Sequence, residues 1–344
     1  MASRSDAPAL AADDVTGAGM HAAEHRRPLL RGGPAYLPGV LAVTVGLTIL
    51  LVFGAITPGF LTVANGKAIL LSASIVGVLA IGETFVMISG SLFSLSIAQI
   101  AAATAMIYLP ALRYGIGAAI LIALALAVAL NAVQGSMIGW WRANPIIVTI
   151  AIGSLTEGGA MVISGNRNIY PPEGNTKFMF ILKNVGGISV STYLFLFVGL
   201  VAAIVMSRTR FGMQLYMMGD NRRAARAAGL PVANLTIGAF VAAGLCAGVA
   251  GLMLAAISGQ AQSSLAGNST YDAIAAALVG GSAVTGGRGS IGRTVLGAIV
   301  IAAVTDLALQ RGYNEGAQLV VKGVLVFVAV LLVRFAGRSG TRTA

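Results

Sequence analysis

An all-α polytopic membrane protein with about ten transmembrane helices is the fold the sequence predicts. Three observations predict it: 57% of the 344 residues are hydrophobic, only 10% are charged, and the mean hydropathy is +0.88. A helix needs roughly 20 apolar residues to cross a bilayer, and stretches of that order recur along the chain between short polar joints. Dividing the chain at its polar, Pro and Gly breaks places spans near 37–57, 68–89, 92–110, 115–138, 145–164, 191–207, 233–257, 272–287, 291–310 and 317–335. The joints at 89–92 and 286–293 are so short that their neighbours can instead be broken or re-entrant helices.

Residues 1–36, rich in Ala, Arg and Asp and without an apolar stretch, are expected to form a disordered cytoplasmic tail. The segment 37–57 reads as a retained first span, because a cleavable signal would have a shorter apolar run nearer the start and a small-residue cleavage site. Charge then sets sidedness. With the N-terminus inside, cytoplasmic segments collect fifteen of the 22 Lys and Arg residues and the opposite side six, while Lys322 lies within the last span. Both termini, including a short tail at 336–344, are therefore expected in the cytoplasm.

The net charge of +11 is spread over short loops and tails rather than one folded face, so it reports orientation and not a nucleic-acid partner. Cys246 is the single cysteine, which leaves no intrachain disulfide. His21 and His25 sit in the polar tail, so no imidazole is available in the membrane for a metal or for acid–base work. No catalytic residue and no metal ligand is expected. The one long outside connection, 165–190, carries Pro171, Pro172, Gly174 and Gly186 and either meets an external partner or links two helices.

Between the sixth and seventh spans lies a basic island, 207–231, reading SRTRFGMQLYMMGDNRRAARAAGLP. Asp220 or Asn221 can cap a helix there, Arg222 to Ala228 favour one, and Gly229 with Pro231 stops it after about two turns. So short a helix is marginal alone in water and must rest against something. The coupling loop is accordingly placed at 208–232, either as a docking element or as a positive loop that only fixes topology.

Gly287 to Thr294, GRGSIGRT, resembles a phosphate-cradling loop but has Arg293 where the lysine belongs, and it lies between membrane helices. If ATP is used, another subunit must bind it. Four carboxylates, Glu83, Glu157, Asp272 and Asp306, fall in or near spans, where a charge at mid-bilayer costs about 3 kcal/mol or more. Each either lines a solute or proton path, caps a helix near the interface, or pairs with internal polar groups. Gly244 and Gly248, followed by Gly251, offer a groove for a second helix backbone. Ser94, Ser96, Gln99, Asn131, Gln134 and Thr149 are polar at apolar depth and can bond a hydroxyl-rich solute or neighbouring helices. Glu83, Ser94, Asn131, Thr149, Glu157, Asp272 and Asp306 are the path candidates.

Four segments, GETFVMISGSLFSLSIAQ (82–99), NAVQGSMIGWWRANPIIVTIAIGSLTEGGAM (131–161), FGMQLYMMGDNRRAARAAGL (211–230) and YDAIAAALVGGSAVTGGRGSIGRTVLGA (271–298), resemble one family in the same order. It is the ribose-type, branched-family sugar permease of ATP-binding cassette importers. The resemblance covers roughly Leu37 to Leu332 and omits the N-terminal tail. It implies a bacterial inner-membrane subunit that pairs with a second copy or a paralogue, cytoplasmic ATPase cassettes and a periplasmic solute-binding protein. ATP would be hydrolysed by the partner, with no cofactor on this chain.

In that family the segment matching Gly219, Asp220, Asn221, Arg222, Arg223, Ala224, Ala225, Arg226 and Gly229 is the coupling helix, which makes docking the reading to expect. The chain departs from the family pattern at Ser94, where an Asp usually precedes Leu-Ser, and at Glu83, where Gln is commoner. Pentose, hexose, deoxysugar and polyol all stay open as solutes. The competing class is a proton-coupled secondary transporter relaying through Glu83, Glu157 or Asp306.

Overall fold

The computed structural model describes residues 56–172 and 177–339 together with Thr44, Thr48 and Gly54, with only the backbone for Lys177 and 329–339. The expected tail at 1–36, all but a few positions of the span at 37–57, and the end of the C-terminal tail at 340–344 lie outside the described residues. The described chain is all-α apart from a two-residue-per-strand hairpin, Asn184–Val185 against Ile188–Ser189.

In order, the helices are α1 (Val63–Ile88), α2 (Ile97–Ala111), α3 (Ile116–Gly139), α4 (Pro145–Ser164), α5 (Val190–Arg208) and α6 (Arg210–Asp220). They continue with α7 (Arg222–Ala227), α8 (Val232–Ser258), α9 (Ser269–Val279), α10 (Ile291–Gln310) and α11 (Glu315–Ser339). Six of them, α1, α3, α4, α5, α8 and α10, are long and apolar enough to span a membrane. The ten uniform spans expected from the sequence are thus about six clear ones among the described residues.

Two expected spans shrink. The segment 92–110 becomes the 15-residue α2, and 272–287 becomes the 11-residue α9. At 1.5 Å per residue these reach about 22 and 16 Å, short of the roughly 30 Å hydrocarbon core. Backbone chemistry explains the breaks. Gly90 (φ 74°) and Leu92 (φ 63°) turn the chain before α2, while Gly281, Gly286 and Gly287 (φ 82°, 92° and 69°) turn it after α9. The left-handed region is open to glycine and uncommon for a residue such as Leu92. Broken helices, the alternative left open by the two short joints, are what the chain forms at both.

Burial places α1 and α8 at the centre: 72% of each spanning window is covered, against 17% for α4 and 22% for α3. α8 packs on α1, α2 and α3, and α1 packs also on α5, α9 and α10. The small-residue groove allows that approach. A methyl at Gly244 would lie 2.8 Å from the Ala127 carbonyl oxygen, and one at Gly248 would lie 3.2 Å from the Ala127 Cβ. Gly251 serves α2 in the same way, meeting the Ala101 carbonyl.

Polar bonds fix the ends of the bundle. Asp306 Oδ2 accepts from Asn65 Nδ2 at 2.8 Å and from Gln310 Nε2 at 2.9 Å, joining the start of α1 to the end of α10. Lys322 Nζ sits 2.8 Å from Asp272 Oδ1 and 2.9 Å from Oδ2, joining α9 to α11. The connection at 165–190 is held down as well: Ile169 and Ala261 exchange backbone hydrogen bonds of 2.8 and 2.9 Å, and Phe178 and Ile181 are buried.

Candidate coupling surface and polar path

The basic island forms two helices rather than the one expected. Thr209 Oγ1 accepts from Gly212 N at 3.3 Å and starts α6, which buries Gly212, Leu215, Met218 and Gly219 along one face. The spacing of Leu215 and Met218, preceded by a Thr cap, was the readable signal for it. Asn221, not Asp220, caps α7, accepting from the amides of Arg223 and Ala224, both at 3.0 Å. Gly229 (φ 78°) ends it, with Gly229 N bonded to Arg226 O at 3.1 Å and Leu230 N to Ala225 O at 3.0 Å. That pair of bonds is the Schellman closure, which needs a left-handed residue and favours glycine there.

The island is bolted to both breaks in the bundle. Gly219 lies against the end of α1 and the turn before α10, and a methyl on it would overlap the Ile88 carbonyl and the Gly287 amide. Gly287 N donates to Ile88 O at 3.0 Å, and a methyl on Gly286 would lie 2.6 Å from the Gly90 Cα. Tyr216 Oη donates to Gly289 O at 3.0 Å. Arg222 Nη2 donates to Ser91 Oγ at 3.0 Å and to Thr236 Oγ1 at 3.2 Å. Burial first, and the neighbouring Arg226 charge second, pull the Arg222 guanidinium below its ordinary pKa.

At 100° per residue, Arg222 and Ala225 lie on the inner face of α7, Arg226 at its edge, and Arg223, Ala224 and Ala227 on the outer one. The proposed coupling residues divide accordingly. Gly219 and Ala225 are buried and Arg222 half-buried, whereas Asp220, Asn221, Arg223, Ala224, Arg226 and Gly229 are exposed. Two of the three GRGSIGRT glycines serve this junction: Gly287 abuts Asp220 and Gly289 abuts Ile88, so their backbone is turned into the protein. Arg293 Nε donates to Gly280 O at 3.2 Å.

Inside the bundle the first break carries a polar chain. Glu83 is fully buried, and its Oε2 accepts from Ser94 N at 2.9 Å. Ser94 and Ser96 hydroxyls lie 3.1 Å apart, and Ser96 Oγ donates to Gln134 Oε1 at 2.9 Å. Asn131, one turn before Gln134 on α3, donates through its Nδ2 to the Ala127 carbonyl at 3.0 Å and has no other partner among the described residues. Thr149 is buried and bonds Ile146 O at 3.2 Å, one turn from Gly153, which abuts the Ser96 backbone.

Glu83 Oε1, Asn131 Oδ1 and Gln134 Nε2 have no hydrogen-bond partner among the described residues, and neither has Gln99 Oε1 on α2. Unsatisfied buried polar groups cost about 1–3 kcal/mol each, so such a cluster is primed for a hydrogen-bonding guest or water. Ser96 and Gln134, outside the path candidates, are its connecting members. The other carboxylates do not join it. Asp272 and Asp306 are committed to Lys322 and to Asn65 with Gln310, and Glu157 sits half-buried on α4 without a hydrogen bond to a described residue. No hydrogen-bonded chain among the described residues links Glu83, Glu157 and Asp306 into a relay. Among the described residues no group of three or more His, Cys, Asp or Glu side chains could hold a metal.

Glu83→Gln keeps an acceptor for the Ser94 amide, so thermal unfolding of the purified chain should stay near wild type while solute preference or transport rate changes. Unaltered transport kinetics would assign Glu83 to structure alone. Glu83→Ala removes the acceptor and should cost about 1–3 kcal/mol of stability.

A family model described as "Branched-chain amino acid transport system / permease component" matches residues 66–330. The D-allose transport system permease protein of Escherichia coli K12 is 31% identical over 308 residues, 86% of this chain and 90% of that protein. The ribose import permease protein of Bacillus subtilis 168 is 30% identical over 294 residues, covering 84% and 91%. The L-arabinose ABC transporter permease protein of Azospirillum brasilense is 29% identical over 304 residues, covering 85% and 84%.

Proposed function

Because the chain belongs to the family described as branched-chain amino acid transport system / permease component, we propose that it is the membrane subunit of an ATP-driven importer of a monosaccharide. The observation that carries this reading is the family match over 66–330, which contains both the α6–α7 element and the broken spans it grips. Relatives named for allose, ribose and arabinose support an aldose as cargo, and the spare donor and acceptors around Glu83, Asn131 and Gln134 suit a hydroxyl-rich guest.

Residues 37–335 form the permease domain in the bacterial inner membrane, between cytoplasmic tails at 1–36 and 336–344. It crosses ten times with both termini inside; α2 and α9 complete their crossings through the non-helical segments at 89–96 and 280–290. ATPase subunits dock on the outer face of α7, and a periplasmic binding protein delivers the sugar. A second copy or paralogue covers the exposed face of α4, where Glu157 otherwise meets lipid at a cost of about 3 kcal/mol. Closure of the cassettes moves α6 and α7, and the glycine junction passes that motion to the two breaks that flank the path.

Uptake of a labelled aldose, in cells carrying the permease, its ATPase and its binding protein, tests this. The expected result is loss of uptake on ATP depletion and retention when only the proton gradient is collapsed. The reverse pattern would establish the proton-coupled alternative.

A further inference from the structure

A cavity of about 300 Å³ lies between the turn that joins α3 to α4 and the start of α8, lined among others by Trp140, Arg142, Arg226, Pro231 and Asn234. Its floor is tight: a methyl at Gly139 would lie 2.7 Å from the Ala233 carbonyl oxygen. The two arginines come from separate elements and both are exposed. The one ion pair among the described residues is Lys322 with Asp272, so neither guanidinium has a carboxylate partner among them. Arg142 also holds a left-handed backbone (φ 55°), an uncommon conformation for a non-glycine residue and one that persists where function or packing demands it.

The place of the cavity identifies its guest. α3 ends at Gly139, α4 begins at Pro145 and α8 at Val232, so three apolar helices terminate at this level, where lipid headgroups lie. Trp140 and Trp141, the only two tryptophans in the chain, are 62% and 76% exposed beside it, as interfacial anchors are. Arg226 follows Arg222 by one turn of α7 and lines this cavity while remaining exposed.

We propose that Arg142 and Arg226 together bind the phosphate of an anionic phospholipid of the cytoplasmic leaflet, and that the headgroup splints α7 to the α3–α4 turn. The leaflet rests on reading α7 as cytoplasmic. A bridging phosphate would form charge-assisted hydrogen bonds to both guanidiniums and limit how far α7 moves against the bundle.

The test is native mass spectrometry of the full chain, equilibrated with equal amounts of phosphatidylglycerol and phosphatidylcholine. The wild type should retain phosphatidylglycerol preferentially, and R142Q/R226Q should lose that preference by about fivefold per arginine. R142K/R226K should restore most of it, and R208Q/R210Q, at the end of α5 and start of α6, should leave it unchanged. Excess inorganic phosphate should not displace the lipid; displacement would move the site from lipid to free phosphate and overturn the proposal. Equal retention of both lipids by the wild type, or unchanged retention by R142Q/R226Q, would overturn it too. Unchanged retention with loss of ATPase binding would assign the arginines to the partner subunit. Lipid retention is read on the permease alone, so it fails or stands separately from ATP-driven uptake.

Discussion

Gly219→Ala should cut coupled uptake by about tenfold or more while the chain still inserts in the membrane. The added methyl would overlap the Ile88 carbonyl and the Gly287 amide, and both are backbone atoms that have no rotamer to change. Either α6 lifts away from the end of α1 or the turn before α10 shifts, and overpacking of this kind costs about 1–3 kcal/mol. Because the junction joins the island to both breaks, that cost falls on the linkage between them. A loss of about 1.4 kcal/mol of coupling corresponds to about a tenfold fall in transport. Gly229→Ala is the matched control: no atom stands within 4 Å of the added methyl, and only its φ of 78° is strained, at about 1 kcal/mol. Uptake and thermal unfolding measured on both variants decide the matter. Wild-type transport by Gly219→Ala would show that the junction carries no motion.

What could be read in the chain before folding was whatever depends on near neighbours. The cap at Asn221, the stop at Gly229 and the helix between them are set by residues within a few positions, and they form as expected apart from one residue at the end. The two broken spans were visible only as unusually short joints, because the glycine turns that break them act through left-handed backbone and close contact with remote segments. α6 was missed because its Met, Tyr and Leu content passes for apolar filler, although the Thr209 cap and the Leu215–Met218 spacing mark it.

The inward turn of Arg222 was equally hidden: its partners Ser91 and Thr236 lie 131 and 14 residues away. Among the path candidates, sequence could mark Glu83 and Ser94 as polar at depth. It could not pair them, nor separate them from Asp272 and Asp306, whose partners also come from distant helices.

Ala227→Trp should be the most damaging change on the outer face of α7. The side chain is exposed, so the substitution should alter permease stability by no more than about 0.5 kcal/mol. A bulky indole there would instead obstruct any subunit seated on the face formed with Arg223 and Ala224. Uptake should vanish, and the ATPase should no longer co-purify with the permease. Reversing charge at Arg222 is a poorer probe, because it would break that residue's own bonds to Ser91 and Thr236 before it touched a partner.

Cross-linking from the same face tests docking most directly. Cys246 is buried within α8, 6% exposed, so Arg223→Cys supplies a single accessible thiol on α7. In membranes containing the complete transporter, a thiol-attached photo-crosslinker at that position should join the permease to its ATPase subunit, with a yield that changes when ATP is bound. Attachment to a protein on the opposite side of the membrane, or no adduct with the ATPase in either nucleotide state, would contradict the account.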